Sequence, residues 1–197
     1  RSADGDPHFA WPRGVVLIIA ALSAIMFLAE GALLDWSALL ITGNGLVDVE
    51  QGGLGYMLFS IAMTVMRFTC DGLTARVGYR AIMIWGTLVA IAGFAVILLT
   101  SIVAIAMVGF VLIGMGAANV VPVLFRRAGS QTVMPPVLAI AAITTTGYAG
   151  ILLGPAAIGF VADRVGLTLA FWMLPVMLLS VPLSASIVAP RGEGARR

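Results

Sequence analysis

Between Gly14 and Ala189 the sequence is six long apolar runs joined by short polar junctions, and this pattern leaves few folds open. A helix that crosses a bilayer needs about 20 consecutive, mostly apolar residues. The runs fall at about Gly14–Ile41, Gly52–Cys70, Ala81–Leu99, Ile102–Phe125, Val137–Ala162 and Leu167–Ala189. The chain is 61% hydrophobic and 10% charged, with a mean hydropathy of +1.10. A soluble domain carries about 25% charged residues, and this composition in water would expose large apolar patches. The expectation is an all-α, polytopic membrane protein with six transmembrane helices. Residues 1–12 read as a polar linker, 13–190 as the six-helix bundle and 191–197 as a polar tail. No cleavable signal pattern follows the leader, and the chain reads as a piece of something longer.

The charges orient this bundle. All eleven cations are arginine, and net charge is only +2. Arg1, Arg13, Arg76, Arg80, Arg126, Arg127, Arg191, Arg196 and Arg197 share one side of a six-span topology, and Arg164 falls on the other. By the positive-inside rule both termini are cytoplasmic, and the basic ends face anionic lipid. The arginines are dispersed between apolar runs, which argues against nucleic-acid binding. One cysteine, Cys70, cannot form an intramolecular disulfide and reads as a small packing residue. With a lone histidine, His8, in the leader, no His/Cys metal site is expected. No cofactor is implied.

Carboxylates inside a span are costly and point to function. Glu30 lies about 15 residues into the first run, or roughly 22 Å from its start at 1.5 Å per residue. That depth is the outer part of the hydrocarbon. Asp35 lies roughly 30 Å along, at the far interface. Five positions apart, the two are separated by about 140° around a helix and share no face. Glu30 is the costlier to bury. A desolvated carboxylate suits a group that takes up and releases a proton. Asp35 with Trp36 reads as an interfacial anchor or helix-end contact, since tryptophan favours that depth.

Other polar groups stand out against the apolar background. Arg67 is placed three or four residues from the end of the second run, where it snorkels or pairs with Asp71 at i+4, or else lines a central cavity. Asn119 and Tyr148 are mid-span groups that can hydrogen-bond a solute or tie two helices. Pro122 kinks the helix beside Asn119 and frees a carbonyl. Glycines such as Gly150-x-x-x-Gly154 read as close helix packing.

The most specific motif is the junction Asp71-Gly-Leu-Thr-Ala-Arg76-Val-Gly78-Tyr-Arg80. A carboxylate at one helix end can pair with an arginine across the turn, and Gly78 permits a turn that a side chain forbids. Asp71, Arg76, Gly78 and Arg80 form a candidate gating loop. A shorter echo, Asp163-Arg164-Val165-Gly166, follows the fifth run.

This loop, the six runs and the inside termini resemble the carboxy-terminal half of a major facilitator superfamily transporter. The loop is similar to the degenerate second copy of that family's signature motif, with Cys70 where glycine is usual and Tyr79 inserted before the final Arg. The runs Gly114-Met-Gly-Ala-Ala-Asn119-Val-Val-Pro122 and Thr144-Thr-Thr-Gly147-Tyr148-Ala-Gly150 resemble the fucose-permease-like branch. The resemblance implies a 3+3 inverted repeat, a missing amino-terminal half and a solute site between the halves at mid-membrane. It implies secondary transport of a small, sugar-like solute by alternating access, driven by proton symport across a bacterial inner membrane. The alternatives are drug efflux by proton antiport and a non-transporting receptor or structural subunit. Glu30, Asn119, Tyr148 and Arg67 are the candidate solute or proton pathway. Asp71-Gly72-x-x-Ala75-Arg76 also looks like the opening of a CDP-alcohol phosphotransferase motif. Position 68 is Phe and Ile82 to Leu99 holds no acid, so one carboxylate is left where two metals need several. An enzyme is not expected.

Overall fold

The computed structural model describes residues 12–69 and 71–190, with the backbone alone at 71, 73 and 75. The expectations for His8, Cys70, the leader and the arginines of the tail lie outside the described residues, as does the side chain of Asp71. All regular structure among the described residues is helical. In chain order these are α1 Val15–Gly43, α2 Leu54–Thr69, α3 Asp71–Val77, α4 Tyr79–Leu99, α5 Val103–Ser130, α6 Pro136–Val165 and α7 Leu167–Val188. Helices satisfy their own backbone groups, which the bilayer interior demands. Five of them, α1, α4, α5, α6 and α7, are long and apolar enough to cross a membrane. The expected second span is a 16-residue helix, roughly 24 Å long, followed past residue 70 by α3.

One boundary corrects the sequence reading. The fourth helix runs to Ser130 rather than ending near Phe125, so Arg126 and Arg127 lie in its last turns and not in a loop. Arginine there meets the orphan carbonyls of a helix C-terminus, and Arg127 Nε also donates to the Val188 carbonyl at the end of α7, 2.6 Å away. The following loop is built around one side chain. Gln131 is buried; its Nε2 donates to the Ala128 and Met134 carbonyls, and its Oε1 accepts from the Val133 and Met134 amides. Gln131→Ala orphans these groups, and an unsatisfied buried group costs about 1–3 kcal/mol. The expected result is a lowered melting temperature in detergent with unchanged helix content by circular dichroism.

Prolines mark the irregular turns. Non-helical turn residues occur at Asn119, Trp172 and Leu179, each three positions before Pro122, Pro175 and Pro182. Proline lacks the N–H that would bond the carbonyl four residues back and its ring crowds that carbonyl, so the helix opens just upstream.

The core is made by helix pairs at close range. α1 packs along α6, and α5 lies between α2 and α4, while α7 touches α1, α4 and α6. The same contact is made twice. On α1, Phe27 and Gly31 meet Gly147 and Ile151 of α6; on α5, Phe110 and Gly114 meet Gly55 and Phe59 of α2. A Cβ on Gly147 would lie 2.6 Å from the Phe27 ring, and one on Gly55 2.5 Å from the Phe110 ring. In both pairs an aromatic ring needs a glycine opposite, and the residue four positions on brings a glycine against backbone. The two glycine-ended junctions also match. Gly78 has φ 84° and ψ 158°, and Gly166 has φ 86° and ψ 154°.

Candidate functional site

Glu30 of α1 and Arg67 of α2 come together as a charged pair. Fifteen positions separate Glu30 from Val15 and thirteen separate it from Gly43, so it sits at the midpoint of α1. Arg67 is thirteen positions after Leu54 and two before Thr69, the last residue of α2. Its expected place near the end of the second run holds, because Arg67 lies in the last turn of α2.

The Arg67 Nη2 to Glu30 Oε1 distance is 3.7 Å, close enough for charge attraction and too long for a hydrogen bond. Glu30 Oε1 is buried and has no hydrogen-bond partner. Arg67 Nε donates to the Ala118 carbonyl at 3.2 Å. That acceptor has a local origin. Pro122 supplies no N–H to the carbonyl four residues before it, which is Ala118's. The proline of α5 therefore creates the acceptor that fixes the arginine of α2, and the arginine then meets the carboxylate of α1. Three helices from both halves of the chain converge on one guanidinium. The pair is not enclosed: the Arg67 side chain is 44% exposed and that of Glu30 20%.

The other polar residues separate from this centre. Tyr148 is 60% exposed and stacks on Phe27, ring centroids 6.3 Å apart. Phe27 precedes Glu30 by three positions, so both lie on one side of α1. Tyr148, Phe27, Glu30 and Arg67 thus run from α6 across α1 to α2. Asn119 goes elsewhere. It is 7% exposed and lines a cavity between α2, α4 and α5 that neither Glu30 nor Arg67 touches. Thr146, in the threonine run, ties α6 to α1 through the Ala20 carbonyl at 3.2 Å.

Trp36, expected at the interface as an anchor, has a protein partner. Its indole N–H donates to the Pro155 carbonyl of α6 at 3.1 Å, and its ring lies over Gly159. Asp35 is exposed beside it. In the Asp71–Arg80 junction, Arg76 is exposed and Arg80 half-buried, and neither forms an ion pair among the described residues. No cluster of three or more His, Cys, Asp or Glu able to hold a metal occurs among the described residues.

Known proteins match this architecture. The chain is 46% identical over 188 residues to an uncharacterised MFS-type transporter of Yersinia pestis, covering 93% of this chain and 49% of that protein. It is 32% identical over 177 residues to an uncharacterised transporter of Sinorhizobium fredii, covering 90% and 47%. A crystal structure of the peptide transporter POT superposes with a TM-score of 0.72 at 20% identity, over 96% of this chain and 41% of that one. The chain is related to major-facilitator-type transporters. It spans about half the length of the curated relatives it matches. No protein-family model matches it.

The MFS-type relationship gives the geometry a frame. The relatives are named as transporters and not as enzymes. Sequence reasoning found Glu30 by its cost in a bilayer, but not its partner. Glu30 and Arg67 are 37 positions apart, and only the crossing of α1, α2 and α5 joins them. The available signal was Pro122, whose orphaned carbonyl requires a donor from a neighbouring helix.

Proposed function

We propose that this chain forms one half of an alternating-access secondary transporter for a small polar solute, and that Glu30 with Arg67 is its proton-responsive element. The carrying observation is a partly exposed charged pair whose carboxylate lies at the middle of α1. Charged side chains at that depth face a bundle interior or a water-filled cavity, because lipid cannot solvate them. The face bearing Tyr148, Phe27, Glu30 and Arg67 is therefore the one covered by a second bundle, with the solute path between. That relatives are about twice as long fits a second bundle in the same polypeptide.

The duplicated ring-on-glycine contact, the matched Gly78 and Gly166 junctions and the pairing of α1 with α6 and of α2 with α5 support an inverted repeat of three helices plus three. In that reading α2 and α3 together form the sixth span. The arginine distribution supports cytoplasmic termini in a bacterial inner membrane. A sugar-like solute is the reading from the fucose-permease-like runs; the Asp71–Arg80 loop is its gate.

A proton on Glu30 removes the charge that attracts Arg67, which frees the guanidinium to follow α2 when the two bundles rock. Glu30→Gln mimics the protonated state permanently. In vesicles holding the full-length protein, this variant should lose accumulation driven by a proton gradient and keep solute exchange at equal concentrations. Proton-driven accumulation at the wild-type level in Glu30→Gln sinks the coupling role.

A further inference from the structure

The cavity that takes Asn119 away from the solute path has its own chemistry. It lies between α2, α4 and α5, has a volume of about 370 Å³, and is lined by Val77, Ala81, Trp85, Val89, Met115 and Asn119 among others. Two backbone irregularities make room for it. The first turns of α4 are wound as a π-helix over Ile82–Gly86, and α5 opens at Asn119 ahead of Pro122. Gly86 and Gly116 lie so close that a Cβ on Gly86 would sit 2.6 Å from the Gly116 carbonyl oxygen. That contact fixes how deep the cavity lies.

Asn119 is 7% exposed, and its side-chain amide makes no hydrogen bond to any described residue. This amide lines an otherwise apolar space and stays reachable from it, so a bound group can pair with it. It calls for a ligand that is mostly hydrocarbon and carries one acceptor at that depth. The depth follows from antiparallel α4 and α5. With Gly86 opposite Gly116, Asn119 stands level with Met83, three positions beyond Arg80, or roughly 5 Å deeper along the helix. Arg76 and Arg80 adjoin the lining residues Val77 and Ala81. Neither arginine forms an ion pair among the described residues. The rim therefore wants an anion, the first step inward wants an acceptor, and the space beyond wants a chain.

We infer that this cavity is a binding site for one anionic glycerophospholipid. Its phosphate sits at Arg76 and Arg80, an ester carbonyl accepts from the Asn119 amide, and one acyl chain enters between α2, α4 and α5 past Trp85, Val89 and Met115. The occupant couples the junction after α3 to the π-wound start of α4, so lipid charge acts on the loop between these helices.

Native mass spectrometry of the full-length protein tests this, after titration with phosphatidylglycerol or phosphatidylcholine in detergent. The wild type should retain one phosphatidylglycerol with a preference over phosphatidylcholine on the order of tenfold, as expected for two arginines at a headgroup. Arg76→Gln with Arg80→Gln should bring the two lipids to near-equal retention. Val89→Trp, which fills the space beyond Asn119 where the acyl chain would lie, should abolish the retained lipid while leaving the melting temperature of the lipid-free protein unchanged. Equal retention of both lipids by the wild type overturns the proposal. So does undiminished lipid on folded Val89→Trp, or retention of detergent alone. If Val89→Trp does not fold, the double arginine variant still decides, because Arg76 is exposed and Arg80 only half-buried.

Discussion

Arg67→Ala should be among the most destabilising single substitutions in the chain, and adding Glu30→Gln should restore much of the loss. The arginine holds two partners that cannot hold each other. Its removal leaves the Glu30 carboxylate without a countercharge in a bilayer, and breaking a buried pair from one side costs about 3–5 kcal/mol. The 44% exposure of the Arg67 side chain moves the expectation to the low end of that range. Its removal also strips the Ala118 carbonyl of its donor, a further cost of about 1–3 kcal/mol. Glu30→Gln in the same background removes the stranded charge but not the stranded carbonyl. The double variant should therefore recover the first cost and keep the second. Arg67→Lys should fail to rescue in full, since an ammonium lacks the fork that reaches both partners. Melting temperatures of the four proteins in one detergent form the double-mutant cycle. Additive effects of the two substitutions would rule out the coupling.

The contrast between Glu30 and Asn119 shows what the sequence could and could not convey. Both are polar residues in apolar runs, and the cost of burying them is legible from composition alone. Which way each points is not. Glu30 lies on the side of α1 that carries Phe27, and its partner comes from the last turn of α2, 37 positions away. Asn119 is turned toward α4 because the helix opens there, and the direction of an open turn depends on the local backbone rather than on helical spacing. Trp36 teaches the same lesson at the other end of α1. Its depth suited an interfacial anchor, but the Pro155 carbonyl, 119 positions away, accepts its indole N–H. Periodicity supplied the helices and their order. Partners came from crossings, and the prolines were the one sequence feature that hinted at where crossings need donors.

Gly114→Ala should lower stability, whereas the matching Gly31→Ala should be close to neutral. The two glycines occupy the same place in the duplicated contact, four positions after Phe110 and Phe27, so context is nearly held constant. Alanine is favoured over glycine in a helix by about 1 kcal/mol, which would make both changes stabilising if space allowed. At Gly31 the new Cβ lies 3.2 Å from the Ile151 carbonyl oxygen and 3.3 Å from its Cα, a contact relieved by a shift of a few tenths of an ångström. Propensity and crowding then nearly cancel. At Gly114 the Cβ runs into the Phe59 carbonyl oxygen and lies 3.0 Å from the Met63 amide nitrogen. Both obstacles are backbone of α2, which cannot turn aside, so the helices must separate. Overpacking of this kind costs about 1–3 kcal/mol, more than propensity returns. The larger change, Gly114→Leu, should prevent α2 from seating on α5. Because Arg67 reaches Ala118 across that same interface, it should also abolish transport even in protein that still inserts. Melting curves for the alanine pair and uptake in vesicles for Gly114→Leu check the argument. Equal melting temperatures for Gly31→Ala and Gly114→Ala would show that the α2–α5 contact is looser than the α1–α6 contact it mirrors.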